Sequence, residues 1–275
     1  EIKYFCDIIL EKAQKAVEKY GCGIAVADYK EVLADSEVEA ISICTPNNMH
    51  AIIAIDALRA GKNVLCEKPA ARTYDEALTM LDAQHKTGKV LNIGVVNRFN
   101  DGVNQIKKRI DAGELGEIYQ VYVSFRDYRC IPGLGGAFTD KSIAGGGVLI
   151  DWGVHFFDLI LYVLGGAKIK DVTCDAYCEM AKDMKQYKYE NMWAEDTKDV
   201  VDGINDVEDF ISGYIRTDKG NISFNGAWAQ NIDVPEMYID FMGDKAGIRL
   251  QYCSDFQLWS VKNGMLTETV VETKE

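Results

Sequence analysis

Two short stretches of this sequence pair a titratable side chain with a device for aiming it. In VLCEKPAA, residues 64–71, an apolar run ends in two opposite charges, Glu67 and Lys68, and Pro69 follows at once. Proline restricts its own backbone and that of the residue before it, so the Lys68 ammonium is held in one direction. A lysine that is buried or coupled to a neighbour can shift its pKa and share protons. A solvated Glu67–Lys68 loop pair is the simpler alternative. In AGGGVLIDWGVHFFDLI, residues 144–160, Asp151, His155 and Asp158 stand at i, i+4 and i+7, which on a helix is one face. Histidine exchanges protons near neutral pH, and a neighbouring carboxylate orients it and stabilises its charged form. The three glycines before them leave room for a substrate or another domain to approach the backbone. A structural histidine on a half-buried helix fits the same spacing.

These groups need a frame, and hydrophobic periodicity supplies one. Up to about Val96, short apolar runs (IKYFC, AISIC, VLC and VLNIGVV) alternate with helical segments at 9–20, 49–60 and 73–86, the last opened by the capping box Thr73-Tyr-Asp-Glu76. Runs buried on both faces and separated by helices imply a parallel sheet of βαβ units, hence a doubly wound α/β domain. Ligands bind such sheets beyond the carboxyl ends of the strands. The polar residues there are Asp7, the segment Thr45-Pro46-Asn47-Asn48, the pair Glu67-Lys68, and Asn97-Arg98. Asp7 fits the carboxylate that accepts from an adenosine ribose; without a cation in Ile8 or Ile9 to offset a 2′-phosphate, NAD is favoured over NADP. It fits an ordinary turn residue equally. Thr45 to Asn48 offers backbone N–H groups and amides to a dinucleotide, or simply caps a helix.

From about Arg98 the pattern changes. One amphipathic helix leads into IYQVYVSFR, a glycine-rich loop and an apolar helical segment over 145–164. Strands are then expected near 168–178, 207–217, 220–230, 236–243 and 247–252, making a second, α+β domain with a mainly antiparallel sheet. The acidic, polar stretch 184–206 reads as a loop or insertion, and the overlapping run Glu190 to Asp209 as a solvated loop, with the lining of a substrate mouth as its alternative.

Composition narrows the function classes. A net charge of −13 argues against nucleic acid and anionic membrane surfaces as partners. No uninterrupted apolar run has the length of a membrane span. Eight scattered cysteines without a CxxC pair, and only three histidines, give a zinc site weak support at Cys174 and Cys178, so no metal is expected. A reduced, cytoplasmic protein is the simple reading.

Taken together, CTPNNMH (44–50), EKP (67–69) and GGGVLIDWGVH (145–155) resemble, in order and spacing, the motifs of the Gfo/Idh/MocA oxidoreductases, relatives of glucose-fructose oxidoreductase and inositol dehydrogenase. LGEIYQVYVSFR (115–126) and VEDFISGYIRTDKGNISFNGAWA (207–229) resemble the sheet domain of that family. The resemblance implies a Rossmann-type NAD-binding domain over 1–97 and an α+β domain over 98–275 with a large open sheet that mediates substrate binding and homo-oligomer formation. It implies NAD-dependent oxidation of a ring hydroxyl of a sugar, glycoside or cyclitol. Lys68, Asp151 and His155 become the catalytic group: His155 takes the hydroxyl proton, Lys68 bonds the reacting oxygen, and Asp151 positions the hydroxyls or His155. Asp7, Thr45, Pro46, Asn47, His50, Glu67, Lys68, Asn97 and Arg98 border the cofactor.

The family's phosphate-cradling GxGxxG occurs nowhere in the sequence. The chain is therefore expected to open at the second strand of the nucleotide fold, and to lack the helices with which relatives end. Residues 129–147 resemble the segment found in members acting on glycosides and amino sugars. On that likeness Tyr128, Arg129, Phe138, Lys141 and Trp152 face the substrate, with aromatics for sugar faces and cations for oxygens, and oxidation at C3 of a glucoside is the favoured reaction. A redox-neutral NAD-dependent glycosidase and a non-catalytic NAD-binding sensor are the rival readings.

Overall fold

The computed structural model describes residues 1–190, 202–252 and 255–273. The chain divides into two compact units, Glu1–Gly94 and Val95–Glu275.

The first unit carries two parallel sheets. β1 (Tyr4–Cys6) pairs with β2 (Ile24–Val26), joined by α1 (Leu10–Tyr20). β3 (Ala40–Ile43), β4 (Asn63–Cys66) and β5 (Leu91–Ile93) form the other, joined by α3 (Asn47–Arg59) and α4 (Tyr74–Thr87). The short strand β2 and the helix after it, α2 (Tyr29–Ala34), are additions to the sequence reading. α2 ties the pieces together, with the Tyr29 hydroxyl donating to Asp56 of α3 at 2.9 Å. The core is aliphatic, built from Ile43, Ile53, Leu58, Val64, Cys66 and Met80. α4 begins as expected, since Thr73 Oγ1 accepts from Glu76 N at 3.2 Å; the Glu76 carboxylate, however, accepts from Arg72 N at 3.0 Å and so caps one residue further out.

In the second unit an eight-stranded sheet, among the described residues, runs in the order β13-β12-β11-β10-β6-β9-β8-β7. These strands are β6 (Ile118–Arg126), β7 (Ile169–Tyr177), β8 (Phe210–Thr217), β9 (Asn221–Ala227), β10 (Glu236–Gly243), β11 (Ala246–Gln251), β12 (Phe256–Lys262) and β13 (Met265–Val271). All neighbours are antiparallel except β6 and β9, which run parallel. The hairpin β12–β13 extends the sheet beyond the strands expected from sequence. Its turn is Asn263-Gly264, both at positive φ (52° and 77°), the geometry that Asn-Gly supplies to a two-residue hairpin loop. Val121, Val123 and Phe125 of β6 alternate into the core. There they meet α5 (Asp101–Asp111) through Val103 and Ile106, and α7 (Val154–Val163) through Phe156, Leu159, Ile160 and Val163.

The helical segment expected over 145–164 is broken into parts. α6 (Lys141–Ala144) ends at Gly145 in the left-handed region, a π turn follows over Leu149–Gly153, and α7 continues from it. A π turn takes more residues per turn than an α-helix. The α-helical period assumed for the spacing of Asp151 and His155 therefore holds only from Val154 onward. Lys141–Val163 is long and apolar enough to cross a membrane by length and composition, which departs from the sequence reading; the apolar residues of its α7 part are core residues of the sheet domain.

Candidate active site

In the first unit the polar residues gather at the carboxyl ends of β3 and β4. The β3–β4 ladder runs one residue past the strands, with Glu67 N donating to Ile43 O at 2.9 Å. The Glu67 side chain then folds back so that Oε2 accepts from Lys68 N at 3.2 Å. Gly94 leaves the space for it, since a Cβ there would stand 3.3 Å from the Glu67 carboxyl. The Lys68–Pro69 peptide is cis, and Pro69 is buried while Lys68 is half-buried.

His50 joins the two strand ends. It is 1% exposed, in the first turn of α3, with Nε2 2.8 Å from Thr45 O and Nδ1 2.7 Å from Pro69 O. Both ring nitrogens lie within hydrogen-bond distance of carbonyls, so His50 ties together the two loops at the strand ends. Thr45 differs: its hydroxyl oxygen is buried without a hydrogen-bond partner. An orphaned hydroxyl is costly to bury unless a ligand completes it, and it lies where open α/β sheets bind nucleotides. Pro46 is the N-cap of α3 and offers no side-chain cap, and a helix N-terminus favours a negatively charged group. Thr45 and Asn47 thus fit the dinucleotide that the strand ends imply. Asp7, at the end of β1, spends Oδ1 on Ile9 N at 2.8 Å, the local turn that was its alternative reading.

In the second unit the candidate residues lie along α7, the π turn that leads into it and a 3-10 turn earlier in the chain. A 3-10 turn, Val96–Phe99, presents two successive side chains to the helix. The Asn97 amide lies 3.1 Å from His155 Nδ1 and donates to the Tyr252 hydroxyl at 2.8 Å. Arg98 Nε donates to Asp158 Oδ2 at 2.8 Å, a second guanidinium nitrogen bonds Oδ1, and the guanidinium lies 5.1 Å from the centre of the Tyr162 ring. Asp158 is thus held by an arginine. Asn97 and Arg98, expected at the cofactor, here grip α7. Asp151 Oδ2 accepts from Trp228 Nε1 at 3.3 Å, and Trp228 is itself buried.

The glycines before Asp151 serve this chain's own backbone. A Cβ on Gly147 would stand 1.9 Å from Glu208 O. Glu208 in turn accepts from Gly147 N and Leu149 N through Oε1, at 2.9 and 3.1 Å, and from Val148 N through its carbonyl at 3.0 Å. Asp206 likewise accepts from Lys141 N at 2.7 Å, and Thr139 Oγ1 donates to Ile204 O at 2.7 Å. Residues 202–209, read from sequence as a solvated loop, therefore brace the start of the site helix. Tyr187 also departs from that loop reading, being buried with its hydroxyl accepting from Ile131 N at 3.2 Å. Residues 191–201 of the acidic stretch, and Cys253, lie outside the described residues.

Of the residues expected to face substrate, Phe138 is exposed at its loop and Lys141 opens α6. Trp152 is partly buried and packs against the core. Arg129 adopts φ 54° and places its guanidinium over Tyr128 and Tyr187, 5.7 and 5.8 Å from the ring centres, with a bond to Asn231. Sequence reasoning missed Tyr252, Trp228 and Glu208. Each reaches the site from a distant strand or segment, and no local motif marks it. Among the described residues no group of His, Cys, Asp or Glu is placed to hold a metal ion, and the cysteines are free thiols.

Parallel strands whose carboxyl ends collect Thr45, Asn47 and Lys68, followed by a mixed-sheet domain carrying a histidine and carboxylates on one helix, define an NAD-binding oxidoreductase of the Rossmann class. Residues 1–95 match the family model described as oxidoreductase family, NAD-binding Rossmann fold, and residues 103–249 match the GFO/IDH/MocA C-terminal domain. The chain belongs to the Gfo/Idh/MocA oxidoreductase family, and its cofactor is NAD. It is 35% identical over 253 residues to a D-glucoside 3-dehydrogenase of Escherichia coli (strain K12), covering 91% of this chain and 69% of that protein. It is 35% identical over 158 residues to a levoglucosan dehydrogenase of Pseudarthrobacter phenanthrenivorans, covering 56% of this chain and 40% of the other. The solved structure of a levoglucosan dehydrogenase in complex with NADH and levoglucosan shares the fold, with a TM-score of 0.83 at 24% identity over 98% of this chain and 70% of that one.

Proposed function

We propose that the protein oxidises a ring hydroxyl of a sugar or glycoside by hydride transfer, and that its substrate is a glucoside oxidised at C3. The observation that carries this reading is the likeness to the D-glucoside 3-dehydrogenase, which runs through 91% of the chain. NAD, when bound, supplies the hydride acceptor. The chain's own residues handle the proton and the orientation. His155 accepts the hydroxyl proton; an imidazole exchanges protons near neutral pH, and a positioned base is worth about 10²–10⁴ in rate. Lys68 donates a hydrogen bond to the reacting oxygen, favouring the charge that develops as the proton leaves. Asp151, held by the Trp228 indole, accepts from substrate hydroxyls. Tyr128 and Phe138 offer ring faces to the apolar side of a sugar. The sheet of the second unit, whose edge strand β7 is exposed along its whole length, is the surface for self-association in this reading.

The test mixes the protein with NAD and a panel of glucosides, free sugars and inositols, following reduced nicotinamide and carbonyl product together. Reduction with a 3-keto glycoside is the expected result. Release of free sugar without net reduction would replace the dehydrogenase with a redox-neutral glycosidase. Tight NAD binding with neither signal would leave a sensor.

A further inference from the structure

The π turn that carries Asp151 is started by a residue far along the chain. The first amides of a helical segment have no partner within it and need acceptors from elsewhere. Gly145, Gly146 and Gly147 have no side chain that could accept, and the N-cap, Val148, makes no side-chain cap. Glu208 serves three successive amides instead. Its Oε1 accepts from Gly147 N and Leu149 N at 2.9 and 3.1 Å, and its carbonyl accepts from Val148 N at 3.0 Å. Gly147 lets the two backbones come this close, since a Cβ there would stand 1.9 Å from Glu208 O. The neighbours of Glu208 fix it in turn. Val207 is a core residue, Asp206 N donates to Thr139 O at 3.1 Å, and Asp209 N donates to Tyr177 O at 2.9 Å.

The same segment also reaches Asp151 from its other side. The carbonyl of Asp209 accepts from Trp228 N at 2.9 Å, and the Trp228 indole donates to Asp151 Oδ2 at 3.3 Å. Two consecutive residues, Glu208 and Asp209, thus hold the start of the turn and a partner of the carboxylate that the turn presents. A single π turn takes in one more residue than an α turn, and such turns are rare and frequent at functional sites. Relaxed to the α period, the segment would shift by one residue, which rotates a side chain about the helix axis by about 100°. We propose that Glu208 is a positioning residue that fixes the register of this π turn, and so the direction of Asp151 relative to His155. The structural part of the proposal stands on the backbone hydrogen bonds. Its effect on turnover rests on the dehydrogenase reading, in which Asp151 accepts from substrate hydroxyls.

The test reads structure and turnover separately. In a crystal structure of Glu208→Ala the π turn over Leu149–Gly153 is expected to be lost, whereas Glu208→Gln, which keeps an oxygen for the two amides, retains it. In kinetics, Glu208→Ala lowers kcat/KM about 10-fold and Glu208→Gln stays within about threefold of the unaltered protein. A double-mutant cycle then separates positioning from mere support of the fold. On an Asp151→Asn background Glu208→Ala lowers kcat/KM by less than about twofold, because the group through which it acts is already gone. A residue that only stabilises the fold would act by the same factor on both backgrounds. Should Glu208→Ala not fold, Glu208→Asp, one methylene shorter, is read in the same way. An unchanged π turn in the variant without the Glu208 carboxylate, or equal factors on the two backgrounds, overturns the proposal. A turn that changes register in a protein that oxidises no sugar leaves the structural part standing and overturns the dehydrogenase reading.

Discussion

His50 and His155 lie in different units of the chain and are held in opposite ways. Both nitrogens of His50 meet backbone carbonyls, from Thr45 and Pro69, which can only accept. Both ring nitrogens are thus within hydrogen-bond distance of the chain's own backbone. Nδ1 of His155 meets a side-chain amide, which can turn to suit it. A backbone cage makes a histidine a strut between loops, whereas a side-chain partner can turn to suit the ring. Asp158 is pinned by Arg98 through both carboxylate oxygens, and Asp151 Oδ2 accepts from the Trp228 indole N–H at the longer distance of 3.3 Å.

Exchanging the roles of the two histidines should fail in both directions. The largest effect is expected from His155→Asn. Turnover falls about 10³-fold, within the range for loss of a positioned base, while unfolding free energy stays within about 1 kcal/mol. Steady-state kinetics beside urea unfolding measures both. His50→Ala should do the reverse. It orphans two buried carbonyls and opens a cavity, which costs about 3 kcal/mol and is felt in the first unit. NAD affinity falls with the loosened loops, and kcat at saturating NAD is kept to within about threefold. If His50→Ala abolishes turnover without loss of stability, the contrast is wrong.

Much of this frame was legible in the sequence, because local signals fixed it. Gly61 ends α3, Thr73 opens α4, and alternation along Ile118–Arg126 marks a sheet with one covered face. The hairpin over Phe256–Val271 was equally legible in Asn263-Gly264 between alternating runs, although the reading stopped short of it. What was not legible joins residues distant in sequence. Glu208 braces the turn at Gly147 and Leu149, Trp228 reaches Asp151, and Tyr252 reaches Asn97. The π turn also escaped, because residue spacing assumes one helical period and nothing in LIDWG announces another. The motifs marked which residues to consider, and long-range hydrogen bonds decided their roles.

Two carboxylates carry the comparison of the units from catalysis to stability. Asp209, in the second unit, is 2% exposed and accepts from Glu179 N and Met180 N at 2.9 and 2.7 Å through Oδ2. Burial nevertheless pushes its carboxyl above the ordinary range. The folded state then holds the proton more tightly than the unfolded state, so this group's contribution falls as pH rises from the ordinary aspartate range through the raised one. Asp209→Asn should flatten that part of the stability–pH curve, and Asp209→Ala should cost about 2 kcal/mol through the two orphaned N–H groups. Urea unfolding of the three proteins between pH 4 and 8 (about the span over which raised carboxyls titrate) separates these outcomes.

Asp35, in the first unit, moves the other way. Lys3 foremost, then the Glu37 backbone N–H and the Tyr4 hydroxyl, hold its carboxyl down at about 2. The folded state here binds the proton more weakly, so the contribution is complete above the ordinary aspartate range and is lost as pH falls toward about 2. Its ion pair lies at the surface, where salt screens it and where such pairs contribute little. Lys3→Ala should therefore shift the acid unfolding midpoint upward only slightly at low salt, and not measurably in concentrated salt. A larger shift, or one that survives salt, would mean that the Asp35 site is as closed to solvent as Asp209, and that the two units do not differ in how they treat charge.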